Sequence, residues 1–138
     1  MKDSLKTLER VKKFEIDEQR RILMQKLARE ESLQNSLKNL IEEYENEKEF
    51  ISQNPTLCDF GTYTDQYLKK RRALEKQIAD IQNEIEQIRD IMAEMFKEQK
   101  TFDIVTANRK KRHAKELAEQ EQKLLDEVGT NTYIKKHQ

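Results

Sequence analysis

Residues 74–102, "LEKQIADIQNEIEQIRDIMAEMFKEQKTF", place Leu74, Ile78, Ile81, Ile85, Ile88, Met92, Met95, Gln99 and Phe102 at alternating steps of four and three residues. A side-chain set that recurs every ~3.5 residues is the a/d stripe of a coiled coil. The positions between are mostly charged or amide, so one narrow stripe is apolar and the rest of the helix is solvated. A stripe that narrow is satisfied by one other helix, not by a layered core.

The partner lies upstream, in a less regular stripe of Leu5, Leu8, Lys12, Ile16, Gln19, Leu23, Leu27, Glu30, Leu33, Leu37, Leu40, Tyr44 and Ile51, flanked by Val11, Ile22 and Ile41. Its mean spacing is again near ~3.5 residues. Between the two halves stands "NPTLCDFGTY", residues 54–63, which holds the only proline, the only cysteine and one of the two glycines. Proline lacks an amide hydrogen and disfavours helix in the residue before it, so Asn54 and Pro55 end the first helix. Gly61 permits a left-handed backbone, and Thr62 with Asp65 has capping-box spacing for the next helix.

The resulting expectation is an all-α chain, a single antiparallel coiled-coil hairpin over 1–138. Its first helix covers roughly 4–52, its tip about 53–61 and its second helix roughly 62–128. Antiparallel pairing requires one register, and Leu40 with Leu74, Leu37 with Ile78, Leu33 with Ile81, Leu23 with Met92 and Ile16 with Gln99 satisfy it together. The same register sets the acidic block 42–49 ("EEYENEKE") opposite the basic block 67–72 ("YLKKRR"), an arrangement that selects orientation more than it stabilises. The second helix is the longer, so Arg109 to Val128 extends past the first helix without a partner. There the apolar residues Ile104, Val105, Ala107, Ala114, Leu117, Ala118, Leu124, Leu125 and Val128 leave the earlier phase. Gly129 reads as a stop and residues 129–138 as a disordered tail.

Composition agrees with long helices and excludes much else. Charged residues make up 39% and hydrophobic ones 35%, with two glycines, one proline and no tryptophan, too few turn residues for a sheet. A composition this charged also fits disorder, and the sustained spacing decides for helix. Lys plus Arg and Asp plus Glu are 27 each, so no general attraction to nucleic acid or to an anionic membrane follows. No apolar run approaches the ~20 residues that span a bilayer, and the N-terminus has no signal-peptide pattern, so a soluble intracellular protein is expected.

The chemistry of catalysis is absent from the pattern. Glycine occurs only at 61 and 129, so there is no phosphate-binding loop; Cys58 is alone, and His113 and His137 lack ligand partners at helical spacing. Carboxylates are abundant, but a two-helix rod has no dry concavity to shift their pKa values. No enzyme activity, cofactor or metal is expected, and recognition remains.

Three surfaces are candidates. At the open end Lys2, Lys6, Arg10, Lys12 and Lys13 come near Arg109, Lys110, Lys111 and Arg112, forming a basic collar with apolar residues interleaved. Nearer the tip are Tyr44, Tyr67 and Leu74, for which packing inside the hairpin is the simpler role. At the tip are Leu57, Phe60 and Tyr63, which also serve to close the coil.

The stretches "LKTLERVKKFEIDEQRR" (5–21), "LIEEYENE" (40–47) and "YLKKRRALEKQI" (67–78), with Asp126 and Glu127, resemble the FliJ family of the flagellar type III export apparatus. The resemblance covers nearly the whole chain in length and layout. It implies a cytoplasmic antiparallel coiled coil similar to the γ-subunit stalk of rotary ATPases, peripherally associated with the inner-membrane export apparatus. It further implies that the paired termini enter the hexameric export ATPase ring, promote its assembly and activity, and link it to the cytoplasmic domain of the membrane export gate, with export chaperones as further partners. The basic collar of Lys6, Arg10, Lys12, Lys13, Arg109, Lys110, Lys111 and Arg112 would then face the ring. By the same resemblance Tyr44, Tyr67 and Leu74 fall on a gate-binding surface, although Lys70 stands where the family can show an aromatic ahead of "LEK". Two other classes remain open on the residues alone: a nucleic-acid-binding arm, disfavoured because no aromatic interleaves with "LKKRR", and a passive scaffold or prefoldin-like chaperone hairpin.

Overall fold

The computed structural model describes residues 2–54, 56 and 59–137, with side chains described for residues 4–136 of these. Expectations that fall on Pro55, Leu57 and Cys58, and on the side chains of Lys2 and His137, lie outside the described residues. The described chain is two α-helices, α1 (Lys2–Gln53) and α2 (Phe60–His137), of 52 and 78 residues. No strand occurs among the described residues, and the all-α hairpin expected from the spacing is what forms.

Both helices contribute to each of two compact units: Val11–Met95, and Met1–Arg10 with Phe96–Gln138. The sequence pattern reads as one domain because each helix runs on continuously through both units.

The Val11–Met95 unit is the hairpin proper, with α1 and α2 antiparallel. Leu33 packs with Ile78, Ile81 and Ile85 in a buried cluster, and Leu23, Leu27, Leu37 and Leu74 close around it. Every stripe position of α2 from Ile78 through Met92 is buried, whereas on α1 only Ile16, Leu33 and Ile51 are. The asymmetry follows from the residues: α1 puts Gln19 and Glu30 into its stripe, and these stay half-buried. Full burial of an isoleucine is worth ~1.5–3 kcal/mol, so the α2 isoleucines are the main source of cohesion.

Cross-helix polar contacts sit at the edges of this seam. Lys26 Nζ lies 3.1 Å from Glu84 Oε2, and Gln82 Nε2 donates to Glu30 Oε1 at 3.5 Å. The expected pairing of the two charge blocks is not observed: among the described residues no ion pair joins 42–49 to 67–72. Arg71 instead donates from Nε to Glu75 Oε1 (2.8 Å) one turn along its own helix, and from Nη1 to the Tyr67 hydroxyl (3.1 Å). A neighbour at i+4 costs less chain entropy to reach than one across the seam.

The two helix ends at the tip are closed by side chains. At the end of α1, Asn54 N–H donates to both Phe50 O and Ile51 O (3.1 Å each), and its amide Nδ2 to Phe50 O (3.2 Å). α2 begins earlier than the Thr62–Asp65 capping box suggests. Asp59 is the N-cap: its Oδ1 accepts from Gly61 N–H (3.1 Å) and Thr62 N–H (3.4 Å), and its Oδ2 from the Thr62 hydroxyl (2.6 Å). Thr62 is therefore the donor of a cap, not its acceptor. Gly61 is helical and no described residue has positive φ, so the left-handed turn expected there does not form.

In the Met1–Arg10 and Phe96–Gln138 unit, the Thr106 hydroxyl donates to Glu9 Oε1 at 3.0 Å, joining α1 to α2. Leu5, Glu9, Gln99, Phe102 and Thr106 are half-buried, and every described side chain from Ala107 to Lys136 is exposed. Leu8, assigned to the stripe on hydrophobicity, is 52% exposed, and Glu9 takes the inward position. α2 also runs past Gly129 to His137 rather than stopping at Val128 in a disordered tail. Thr132 Oγ1 donates to Val128 O (2.8 Å) across that glycine, and nothing lies within 4 Å of the position a Cβ would take there.

Candidate partner-binding surfaces

The terminal unit concentrates cations. Lys6 and Arg10 stand on α1, and Arg109, Lys110, Lys111 and Arg112 on successive positions of α2, all exposed. A groove runs between the helices, lined by Leu5, Lys6, Glu9, Thr106, Arg109, Lys110 and His113. Its floor is the half-buried Leu5 with the Thr106–Glu9 hydrogen bond, and its rims are cationic. Among the described residues no salt bridge engages Lys6, Arg10 or any of residues 109–112. Like charges left unneutralised side by side raise the local positive potential although the formal charge of the whole chain is zero.

Of the collar residues read from the sequence, Lys6, Arg10, Arg109, Lys110, Lys111 and Arg112 lie in this unit. Lys12 and Lys13 belong to the other compact unit, and Lys12 Nζ lies 3.4 Å from Glu15 Oε2 on its own helix. Sequence reasoning missed Leu5, Glu9, Thr106 and His113 as groove residues. Thr106 is the next step of four after Phe102, and a stripe traced through apolar residues alone does not reach it.

In the hairpin unit, Tyr44 on α1 stacks on Tyr67 of α2 with ring centroids 3.8 Å apart and planes 6° apart. Tyr63 and Phe60 follow at 6.0 Å each. The spacing is helical, so four aromatic rings meet where the chain turns back. The hydroxyls of Tyr44 and Thr64 share a hydrogen bond of 3.2 Å. Arg71 holds the Tyr67 hydroxyl; its hydrogen bond to Glu75, then that to Tyr67, raises its pKa above the usual guanidinium value and keeps it charged. Of the three residues that the family resemblance places on a gate surface, Tyr67 is buried with 6% exposure, while Tyr44 and Leu74 are half-buried. Leu74 packs against the core on one side and on the other lines a shallow groove with Ser36, Asn39, Leu40, Glu43, Lys70, Ala73 and Gln77. Lys70 sits in this groove, so a basic head group stands where an aromatic would widen the apolar patch.

Among the described residues there is no buried polar or charged side chain and no grouping of three histidine, cysteine or carboxylate side chains able to hold a metal ion. No described helix is long and apolar enough to cross a membrane.

Comparison with curated proteins finds no match, and comparison with solved structures finds none. Comparison with family models finds one whose description is the flagellar FliJ protein, and it matches residues 1–138. A match over the whole chain carries both helices and both units with it. The chain therefore belongs to the FliJ family and is a component of the flagellar export apparatus.

Proposed function

We propose that this chain is a coiled-coil stalk that inserts its terminal unit into the hexameric flagellar export ATPase, promotes assembly and activity of that ring, and links it to the cytoplasmic domain of the membrane export gate. Lys6, Arg10, Arg109, Lys110, Lys111 and Arg112 make the ring contact, with Lys12 and Lys13 as secondary cations on α1. The observation that carries the reading is the run of unneutralised cations around the Leu5–Thr106 groove, on a chain whose family works in flagellar export. Acidic side chains lining a ring are the complementary surface, and their attraction acts on association rate and register more than on affinity. The half-exposed faces of Tyr44 and Leu74, beside the Leu40–Leu74 groove, face the gate, and Tyr67 supports Tyr44 from behind. Export chaperones are further partners, and the chain reaches the inner membrane only through the proteins it binds.

The test is ATPase stimulation by the purified full chain. Arg109→Glu with Lys110→Glu is expected to lower stimulation at least tenfold at low salt, while Lys69→Glu with Arg72→Glu, also exposed cations but in the hairpin unit, leaves it within twofold. Equal losses from both pairs would show only a general charge effect, and no loss from the first pair would remove the terminal unit as the ring contact.

A further inference from the structure

The groove of the terminal unit is walled by like charges on opposite helices. Lys6 lines it from α1, Arg109 and Lys110 line it from α2, and no described salt bridge engages any of the three. Glu9 is the one carboxylate among its lining residues, and its Oε1 accepts from the Thr106 hydroxyl at 3.0 Å. Three cations against one carboxylate leave an excess of positive charge between α1 and α2, so the two helices repel each other there.

Little apolar contact opposes that repulsion. No described hydrophobic side chain of this unit is buried, and its inward positions, Leu5, Glu9, Gln99, Phe102 and Thr106, are half-buried, three of the five being polar. In the hairpin unit, by contrast, Leu33, Ile78, Ile81 and Ile85 form a buried cluster. The Thr106–Glu9 hydrogen bond ties the helices, but water competes for both groups, so its net contribution is small. Charge therefore sets the balance at this end of the chain, and charge can be screened.

We infer that the terminal unit is an anion-gated fork: α1 up to Arg10 swings away from α2 when the groove cations are unscreened, and rests against it when anions neutralise them. Glu9 is the built-in counterion that holds the fork partly shut. Salt then acts with the opposite sign from its effect on a salt-bridged contact. It closes the fork instead of loosening it, because the Debye length falls from ~30 Å at ~0.01 M to ~3 Å at ~1 M. An acidic partner surface does the same by direct neutralisation; that step rests on the proposed ring contact, whereas the fork is a property of the chain alone.

Distances within the full chain test it. Spin labels at Ser4→Cys and Asn108→Cys, both exposed, in a Cys58→Ser background report the fork by pulsed dipolar spectroscopy, and Ser36→Cys with Ala79→Cys is the matching pair across the hairpin unit. Raising salt from ~0.01 M to ~1 M is expected to lower the ratio of long to short distances at the first pair at least threefold and to leave the second pair unchanged. Glu9→Gln keeps an oxygen acceptor for Thr106 but removes the charge, so it should raise that ratio at least threefold at low salt and not at high salt. Lys6→Gln with Lys110→Gln should hold the short distance at both salts, which separates charge screening from general salting-out of apolar groups. A first pair as narrow and as insensitive to salt as the second would overturn the inference. So would a salt response that survives removal of the two lysine charges, or one that is blind to Glu9. None of these readings involves the ATPase, so the fork and the ring contact fail separately.

Discussion

Ile85 and Ile91 give a test in which residue type, helix and substitution are held constant and only burial differs. Ile85 is 4% exposed within the Leu33–Ile78–Ile81 cluster, and Ile91, less than two turns on, is 46% exposed. Replacing a buried isoleucine by alanine removes its transfer free energy and adds a cavity term, typically ~2–5 kcal/mol together. Between two helices, with solvent along both edges of the seam, the walls collapse readily, so Ile85→Ala should fall in the lower part of that range, ~2–3 kcal/mol. Ile91→Ala loses only part of the transfer term and creates no cavity. Alanine also has the better helix propensity by a few tenths of a kcal/mol, which applies equally at both sites and brings Ile91→Ala close to neutral. Urea unfolding followed by circular dichroism measures the difference, with an unchanged m-value as the check that only stability moved. A cost for Ile91→Ala within ~0.5 kcal/mol of that for Ile85→Ala would refute the assignment of cohesion to the narrow α2 stripe.

Two further outcomes follow from the tip. A double-mutant cycle of Tyr44→Leu and Tyr67→Leu should give a coupling of ~1 kcal/mol, the usual worth of a stacked aromatic pair beyond its buried area; additivity of the two changes would mean that the rings merely lie side by side. The hydrogen bonds from Thr62 to Asp59, side chain first and then backbone, lower the carboxyl pKa below its ordinary value. A group with a lowered folded-state pKa contributes stability at pH above its unfolded value, ~3.9, and loses it as pH falls through the folded value. Asp59→Asn caps without titrating, so in a pH 7 to pH 2 series the wild-type chain should lose more stability than the variant, and parallel curves would contradict the capping role.

What was legible in the sequence depended on how much contrast each position carried. The α2 stripe was readable because isoleucine recurs on a background of glutamate, glutamine and arginine, and all five positions from Ile78 to Met92 are buried. α1 was harder, since its inward positions include Glu9, Lys12 and Gln19, and an apolar search chose Leu8 over Glu9 although steps of four, three and four lead from Leu5 through Glu9 and Lys12 to Ile16. The same bias hid Thr106, the floor of the cationic groove. Capping failed for a different reason: Thr62–Asp65 and Asp59–Thr62 both have cap spacing, and only the hydrogen bonds choose between them. Gly129 was read as a stop because glycine ends helices that must turn, but in this stretch no neighbouring element forces a turn. The cations are visible in the sequence as a block, and Lys12 with Glu15 has the i, i+3 spacing of the ion pair that forms.

Among the described residues, the nine buried hydrophobic ones all lie within Val11–Met95 and none within the terminal unit. Cohesion is therefore carried by one stretch of the two helices, while the cations proposed to meet the ring lie on another. A helix without tertiary contacts is only marginally stable in water, and the stretch 107–136 exposes every described side chain on it up to Lys136. A partner that covered its Leu117–Val128 face would supply burial that the described residues do not, so binding and helix stabilisation there would be one event, with affinity reduced by the cost of ordering. That cost favours exchange over permanent attachment. In the proposed stalk role, an end that binds reversibly suits a cycling ATPase, while the isoleucine seam keeps the hairpin intact between encounters.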